Sequence, residues 1–273
     1  GGASALARLI AARRTAVVPR GGVFARLSIE DLAAPVVQAV LADAGIAAGG
    51  VDELILSNAL GAGGNPARRV ALAAGLPEGV AGLTIDRQCA GGLDAILLAR
   101  ALVDSGAAEV VLAGGAESYS RRPLRLATDP DGGTPVPYDE APFTPWPDRN
   151  PGMAEAAEAL ARRLGISRSQ QEQWAAESHA KALVAKHSPE IVALSDVTRD
   201  AFPRRLGSGL LGRAPVVQGS ITVATAAVAA DAAAICLVVS DRVARGRGLA
   251  ILGGATVGVN PVEPGLAPLA AIA

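Results

Sequence analysis

Apolar residues recur at helical spacing near the start of the chain. Ser28 is followed three residues later by Asp31, a pair that resembles the capping box at the beginning of a helix. The positions beyond it that share one helical face are all apolar: Leu32, Val36, Val37, Val40 and Leu41. Gly45 ends the run, because glycine readily closes a helix. The spacing predicts an amphipathic helix that packs this face against a core.

Short apolar runs then alternate with helical patterns. Strands are predicted over 51–56, 82–87 and 109–113, and helices over 66–74 and 91–104. Alternating strands and helices indicate βαβ units with right-handed crossovers. The first third of the chain therefore predicts an α/β fold.

The region from 123 to 151 breaks this alternation. It holds eight prolines and little periodicity, which is compatible with a disordered linker or with an ordered loop. Tyr138, Phe143 and Trp146 favour the ordered loop, because a chain with only 3% aromatic residues is expected to use them for packing. Helices are predicted again over 154–164 and, after a second capping box formed by Ser167 and Gln170, over 174–186.

The remaining residues predict a return to the first pattern. A helix is expected over 223–234, a strand over 235–240 and a last β-like run over 249–260. Residues 1–117 and 219–245 are accordingly assigned to one α/β core, and residues 118–218 to an inserted loop subdomain. Residues 246–273 are assigned to a final strand and tail.

Composition narrows the class. Half of the residues are hydrophobic and the mean hydropathy is +0.34, so we expect a large core built from Ala, Val, Leu and Ile. The net charge of −1 gives no general attraction to nucleic acid or to an anionic membrane. No apolar span of about 18 uncharged residues is present, and no leader segment is recognised, so a cytoplasmic location is expected.

The chain has two cysteines and two histidines. Two cysteines are too few for a disulfide framework, and His179 and His187 stand in no cluster of metal-binding residues, so no metal site is expected. Cys236 lies in the apolar run 235–239 and is interpreted as a core residue.

Cys89 is the candidate for chemistry. It stands where a predicted strand turns into a predicted helix, and the dipole of that helix favours a negative charge on the sulfur. A free cysteine is more often buried and inert, but Gly91 and Gly92, which follow at once, favour a tight turn that presents the thiol. Cys89 is therefore predicted to act as a nucleophile.

Several segments around this residue occur together in one family. The blocks are Cys89-Ala90-Gly91-Gly92, Gly114-Gly115-Ala116-Glu117-Ser118-Tyr119-Ser120, the stretch that runs from Gly152-Met153 through Gly165 to Ala182, and Gly258-Val259-Asn260-Pro261. Arg14-Thr15-Ala16, with Gly21-Gly22, is similar to a further element near the start. In this order, from about residue 8 to the end, the chain resembles the thiolase family.

The resemblance implies a thiolase-like fold, with a mixed five-stranded sheet, helices on both faces and an inserted loop subdomain. It implies that Cys89 takes an acyl group from a coenzyme A thioester, which is a substrate rather than a permanently bound cofactor. It also implies a homodimer that forms near the nucleophile.

Two residues of the loop subdomain are implied to bind coenzyme A. Met153 corresponds to the methionine that lines the acyl pocket, and Arg213 to the arginine against the adenine. Gly91 and Gly92 are included among the substrate-binding residues. An arginine cluster can contact phosphates or form a solvated surface balanced by Asp196 and Asp200; it comprises Arg199, Arg204, Arg205 and Arg213.

The chain also departs from the family pattern. The blocks of the second thiolase half, which supply the activating histidine and a second cysteine, are missing, and neither histidine nor Cys236 matches them. Residues 224–231 lack the serine of the usual pantetheine-binding stretch, and Gly152 replaces a histidine found in many thiolases.

Three functions remain open from the sequence. The chain is interpreted first as a cysteine-dependent acyltransferase, incomplete for full thiolase condensation or cleavage. The alternatives are the nucleophile-bearing subunit of a split thiolase, completed by a second subunit, and a non-catalytic scaffold that binds acyl-CoA.

Overall fold

The computed structural model describes residues 6–61, 63–185 and 188–273. They form two compact units. The first contains the described residues within 1–123, 187–202 and 229–253, and the second contains those within 124–186, 203–228 and 254–273. The domain assignment made from the sequence places its boundaries elsewhere and stays a prediction.

The first unit contains a mixed sheet. Its strands are β1 (Arg8–Arg14), β2 (Val18–Pro19), β3 (Glu53–Ser57), β4 (Ala81–Ile85), β5 (Val110–Ser118), β10 (Ala230–Val239) and β11 (Leu249–Ala250). Within the described residues the strand order is β11-β1-β10-β5-β3-β4, and β2 pairs with β10. β3 is parallel to β4 and β5, whereas β10 is antiparallel to β1 and β5. Five long strands and two strands of two residues thus confirm the mixed α/β sheet.

Helices cover both faces of this sheet. They are α1 (Ile29–Ala44), α2 (Pro66–Ala73) and α3 (Gly91–Asp104), with the short α7 (Asp241–Ala244) after β10. Leu54 and Leu56 of β3 belong to the core cluster of α1 and α2, while Ile55 between them belongs to the cluster of α3. Because successive strand residues point to opposite faces, α3 lies on one face and the other two helices lie on the opposite one.

Local signals in the sequence place α1 and α3 well. Ser28 and Asp31 form the predicted capping box of α1, and Gly45 closes that helix with a φ of 66°. α3 begins at Gly91 and ends at Asp104, as predicted. A Cβ built on Gly91 would lie 1.8 Å from Oγ of Ser57, so only glycine allows this close approach of α3 to β3.

Two predictions in the last third are wrong. The helix predicted over 223–234 is absent; residues 223–229 hold no helix, and β10 already begins at Ala230. Alanine favours helices locally, but in residues 230–234 strand pairing overrides that preference. β5 pairs on one side, and on the other β2 pairs at Ala230 and Asp231 and β1 from Ala234 onward. The β-like run over 249–260 is paired only at Leu249–Ala250, because β1 offers partners only at Arg8 and Leu9.

The second unit is built from short elements. Its hairpins are β6 (Arg125–Ala127) with β7 (Val136–Tyr138) and β8 (Val216–Gln218) with β9 (Ile221–Thr222). Its helices are α4 (Met153–Leu164), α5 (Arg168–Val184), α6 (Ser208–Arg213) and α8 (Ala267–Ile272). Ser167 and Gln170 form the predicted capping box, although α5 begins at residue 168 rather than 174. Lys186, where that helix was predicted to end, lies outside the described residues.

The aromatic residues of the proline-rich region contribute less burial than predicted. Tyr138, Phe143 and Trp146 are 38%, 51% and 50% exposed. Arg125 lies over the ring of Tyr138 and Arg149 over that of Trp146, at 5.2 and 5.0 Å from the ring centroids. The rings of Tyr138 and Trp146 therefore stack against guanidinium groups instead of filling a core.

Candidate active site

Cys89 lies at the predicted junction between a strand and a helix. β4 ends at Ile85, a single 3-10 turn spans Gln88–Ala90, and α3 begins at Gly91. Gln88 has a positive φ of 50°, and its N–H donates to Oδ1 of Asp86 at 2.7 Å, so a side chain stabilises this sharp turn. Cys89 itself is exposed. The turn thus presents the thiol at the surface of the first unit.

An ion pair fixes the turn to the helix. Arg87, just before the turn, donates to the carboxylate of Asp94 in the first turn of α3. The Asp94 side chain is only 9% exposed, and its negative charge near the helix N-terminus is favourable. The backbone on both sides of Cys89 is therefore held by side chains.

Cys89 lines a hollow of about 320 Å³, here called the Cys89 hollow. Its walls come from the turn, from the start of α3 and from the β1, β3, β5 and β10 region of the sheet: Arg14, Thr15, Val17, Ser57, Gln88, Gly92, Gly115, Ala116, Glu117, Ala230, Ala232, Ala233 and Ala234. Most of these side chains are small. A group attached to the sulfur would therefore find space beside it.

The two predicted glycines have different surroundings. Gly91 packs directly on Ser57, whereas a Cβ on Gly92 would meet nothing within 4 Å. Gly92 is part of the wall of the Cys89 hollow. Their assignment as substrate-binding residues stays a prediction.

A charged cluster that the sequence analysis missed lies at the end of β1. Arg14, a residue of the hollow wall, donates to both carboxylate oxygens of Asp200 at 2.7 and 3.0 Å and to Glu190 at 3.1 Å. The hydrogen bond between Arg14 and Asp200 raises the pKa of Arg14 and holds the pKa of Asp200 below its usual range. Asp200, one of the two aspartates considered as balancing a surface arginine cluster, is thus the partner of Arg14.

The Glu117-Ser118-Tyr119-Ser120 block connects separate segments of the first unit. Glu117 accepts hydrogen bonds from Asn58 Nδ2 and from the N–H groups of Ala59 and Leu60, so it holds the loop after β3. Ser120 donates its N–H, at 3.0 Å, and its hydroxyl to Asp231, which is fully buried on β10. The only sequence signals for these roles were the motif itself and one aspartate within an alanine-rich run.

The residues predicted to bind coenzyme A lie in the second unit. Met153 is the first residue of α4 and is 52% exposed, and Arg213 is the last residue of α6 and is exposed. Of the predicted arginine cluster, Arg204 and Arg205 also belong to this unit, whereas Arg199 belongs to the first. The four arginines therefore do not form a cluster within one unit.

The other cysteine and the histidines have different surroundings from Cys89. Cys236 is half-buried on β10, opposite Ala12 and Ala113, and burial raises the pKa of its thiol. His179 lies on α5, where its Nδ1 accepts the N–H of Arg204 at 3.1 Å. His187 lies outside the described residues.

The described residues contain neither a metal-binding cluster nor a helix that could span a membrane. In that part of the chain no three His, Cys, Asp or Glu side chains come together as they would around a metal ion. No helix found there has both the length and the apolar character needed to cross a membrane.

Comparisons with known proteins agree with the fold and with the motifs around Cys89. The family model "Thiolase, N-terminal domain" matches residues 7–242. The chain is 37% identical to "Putative acetyl-CoA C-acetyltransferase YhfS" of Bacillus subtilis strain 168, over 97% of this chain and 72% of that protein. It is 32% identical to "Putative acetyl-CoA C-acetyltransferase VraB" of Staphylococcus aureus strain MRSA252, over 97% of this chain and 74% of that protein.

A solved structure has the same architecture. The crystal structure of the Bacillus anthracis acetyl-CoA acetyltransferase matches with a TM-score of 0.88 and 31% identity, over 100% of this chain and 76% of that one. The chain thus spans about three quarters of the length of these proteins. By its fold, its motifs and these matches, the chain belongs to the thiolase family.

Proposed function

We propose that the protein is an acyltransferase in which Cys89 accepts an acyl group from a coenzyme A thioester. The sulfur of Cys89 attacks the thioester carbonyl, a new carbon–sulfur bond forms, and the bond to the coenzyme A sulfur breaks. The thiol proton of Cys89 leaves with coenzyme A, which departs as the free thiol. A thiolate attacks a thioester readily, so this exchange needs no metal or further cofactor.

The observation that carries this proposal is the exposed thiol at the head of α3, on the wall of the Cys89 hollow. The N–H groups of the first turn of a helix are natural donors to a developing oxyanion. The names of the relatives, which assign them to the acetyl-CoA C-acetyltransferases, support the same reaction class.

The described wall of the hollow contains no histidine, and Glu117 already accepts three hydrogen bonds there. Its carboxylate is thus already used to hold the loop after β3. We therefore propose that the residues of the Cys89 hollow support acylation of Cys89. The formation or cleavage of a carbon–carbon bond needs a general base and a general acid from outside the hollow.

Intact mass spectrometry tests the acylation. Incubation with acetyl-CoA and with longer acyl-CoAs is expected to add one acyl group to the wild type and to Cys236→Ser, and none to Cys89→Ser. Loss of the adduct on treatment with free coenzyme A would show that the step is reversible. An adduct that persists in Cys89→Ser, or its absence in the wild type with every thioester, contradicts the proposal. Binding without any adduct would favour the scaffold function instead.

Coenzyme A binding is proposed for the second unit, where Met153 and Arg213 correspond to the thiolase residues of the acyl pocket and the adenine site. Residues 224–231 correspond to the pantetheine-binding stretch of the family, although they lack its serine; those up to 229 belong to the segment 223–229, which precedes β10. The support is the resemblance of these segments together with family membership.

A second candidate is that this chain provides the nucleophile to a larger thiolase assembly. On the α3 face of the sheet, Ala12 and Ala234 are exposed although both lie on long strands, and Leu93 on α3 is 71% exposed. An apolar sheet and helix surface of this kind is usually covered by another protein surface. The relatives contain residues beyond the region that this chain matches.

Reconstitution tests this candidate. The chain is mixed with the separately produced C-terminal segment of YhfS, and light scattering and thiolytic cleavage of acetoacetyl-CoA are measured. A complex with gained activity supports the candidate, and Leu93→Asp is expected to weaken it. Two unassociated proteins without activity would contradict it.

A homodimer is proposed as well, since the edge strand β4 exposes Leu83 and lies beside the Cys89 turn. Light scattering of the isolated protein tests this.

The cytoplasmic location stays a prediction.

A further inference from the structure

A buried carboxylate in the second unit is not used by the proposed acylation step. Glu158 lies on α4, and its side chain is only 10% exposed. Its Oε2 accepts the N–H of Ser220 at 2.8 Å and the hydroxyl of Ser220 at 2.5 Å, and its Oε1 accepts Nε of Arg162 at 2.7 Å. The hydrogen bond from the Ser220 hydroxyl is the main reason that the pKa of Glu158 is lowered. Glu158 is therefore an ionised acceptor for the turn that contains Ser220.

That turn joins β8 and β9, which have three and two residues. A two-stranded hairpin of this length is not stable by itself and needs support from packing. Gly219 in the turn has a φ of +55°, and a Cβ there would lie 2.3 Å from the carboxyl carbon of Glu158. The backbone of the turn thus lies directly on the carboxylate. Gln171 of α5 adds a third contact, because its Nε2 donates to Oγ of Ser220 at 2.9 Å.

The hairpin leads into the segment 223–229. Thr222 at the end of β9 is fully buried, its N–H donates to Oγ1 of Thr225, and Ala226 donates its N–H to the carbonyl of Thr222. Ala224 joins the small apolar cluster of Leu206, Leu211 and Ala214. Val228, beyond these anchors, is 53% exposed. The path of this segment therefore starts from a hairpin whose turn is held by one carboxylate.

The same carboxylate belongs to the helix that begins at Met153. α4 and the segment 223–229 are the two elements to which the proposed function assigns contacts with the acyl and pantetheine parts of the substrate. We propose that Glu158 is a positioning residue for acyl-CoA binding, which holds the β8–β9 turn, and with it the segment 223–229, against α4. This inference rests on the proposed function.

The test compares Glu158→Gln and Ser220→Ala with Glu177→Gln, in which an exposed glutamate of α5 is changed in the same way. The glutamine keeps the size of the side chain but replaces one acceptor oxygen with an NH₂ group. Acylation of Cys89 by acetyl-CoA is followed by intact mass over a range of concentrations. Labelling of Cys89 by iodoacetamide is measured in parallel, because this small reagent does not need the coenzyme A site.

The acetyl-CoA concentration for half-maximal acylation is expected to rise about tenfold in Glu158→Gln and less in Ser220→Ala, since a charged hydrogen bond is lost. Glu177→Gln is expected to equal the wild type in its maximal acylation rate, in its rate of labelling by iodoacetamide and in its thermal midpoint. The effects of Glu158→Gln and Ser220→Ala are expected to be less than additive in the double variant.

Hydrogen exchange gives a readout that does not depend on the substrate. Peptides covering 219–229 are expected to exchange faster in Glu158→Gln, while peptides of α1 and α3 do not change. Faster exchange with an unchanged acetyl-CoA concentration for half-maximal acylation would mean that the contact is only structural, and it would overturn the inference. Unchanged exchange in Glu158→Gln would overturn it as well.

If the wild type forms no adduct, the proposed acylation fails on its own account. Calorimetric binding of acetyl-CoA then replaces the adduct. Weaker binding by Glu158→Gln would support the positioning role, and equal binding, or none by either protein, would overturn it.

Discussion

At the scale of single residues, the geometry around Cys89 depends on polar side chains and on two glycines, which have no side chain. Gly91 is required because α3 lies against Ser57, while Gly92 faces open space. Asp86 and Arg87 hold the turn through Gln88 and Asp94. The thiol is therefore placed by the backbone, which these two polar contacts and the packing of Gly91 on Ser57 hold in position.

Replacement of the two glycines should have opposite effects on stability. Gly91→Ala is expected to lower the free energy of unfolding by about 1–3 kcal/mol, because the new Cβ overlaps Ser57. Gly92→Ala is expected to leave it unchanged or to raise it by up to about 1 kcal/mol, since alanine favours the helix and meets nothing. Urea unfolding measures both, and equal losses in the two variants would contradict the packing argument.

Acid should weaken the cluster at the end of β1. The pKa of Asp200 is lower in the folded protein because Arg14 donates to its carboxylate. Its contribution to stability is therefore present above the unfolded pKa of about 3.9 and is lost as the pH falls through the lower folded value. The stability difference between the wild type and Asp200→Asn is expected to be largest near neutral pH and to shrink below about pH 4. Asp196→Asn, at an exposed position nearby, is the control.

At the scale of elements, the strand β10 shows how neighbours override local preference. Its alanine-rich start favours a helix, but β5 pairs with it on one side, and β2 and then β1 pair with it on the other. Alternate residues then face different environments: Ala233 is 2% exposed in the core with α1, whereas Ala234 is exposed on the wall of the Cys89 hollow. A helix would not produce this alternation.

Valine at these two positions tests the alternation. Ala233→Val is expected to lower the free energy of unfolding by about 1–3 kcal/mol through overpacking. Ala234→Val is expected to change it by less than about 0.5 kcal/mol, because its side chain meets solvent. Chemical unfolding of both variants gives the comparison. Similar losses would mean that the two alanines share one environment.

At the scale of the whole molecule, the chain divides the proposed work between two units. The nucleophile and its hollow belong to the first, and Met153, Arg213 and the Glu158 contact belong to the second. A division of this kind separates reactivity of the thiol from recognition of the thioester. We therefore expect a substitution in one unit to change one of these properties without the other.

Arg213→Ala is expected to show this separation. Loss of the guanidinium should raise the acetyl-CoA concentration for half-maximal acylation about threefold to tenfold, while iodoacetamide labels Cys89 at the wild-type rate. Arg26→Ala, at an exposed arginine of the first unit, serves as the control. Parallel loss of both reactions in Arg213→Ala would indicate a general effect on folding rather than on binding.

The sequence by itself determined what depends on local pattern. A capping box predicted the start of α1, the two glycines after Cys89 predicted the turn into α3, and the order of the motifs predicted the thiolase family. The second capping box is also present, but the helix after it was predicted to begin at 174 rather than 168. These features follow from spacing and from backbone preference, which neighbouring residues in the chain already contain.

Only the tertiary structure decided what depends on partners far away in the chain. Pairing with β2 and β5 made residues 230–234, the end of a predicted helix, part of β10, and Asp200 proved to be the partner of Arg14, 186 positions away. The contact of Glu158 with Ser220 spans 62 positions. Contacts of this kind leave no periodic signal, because their energy depends on geometry that arises only after the elements have packed.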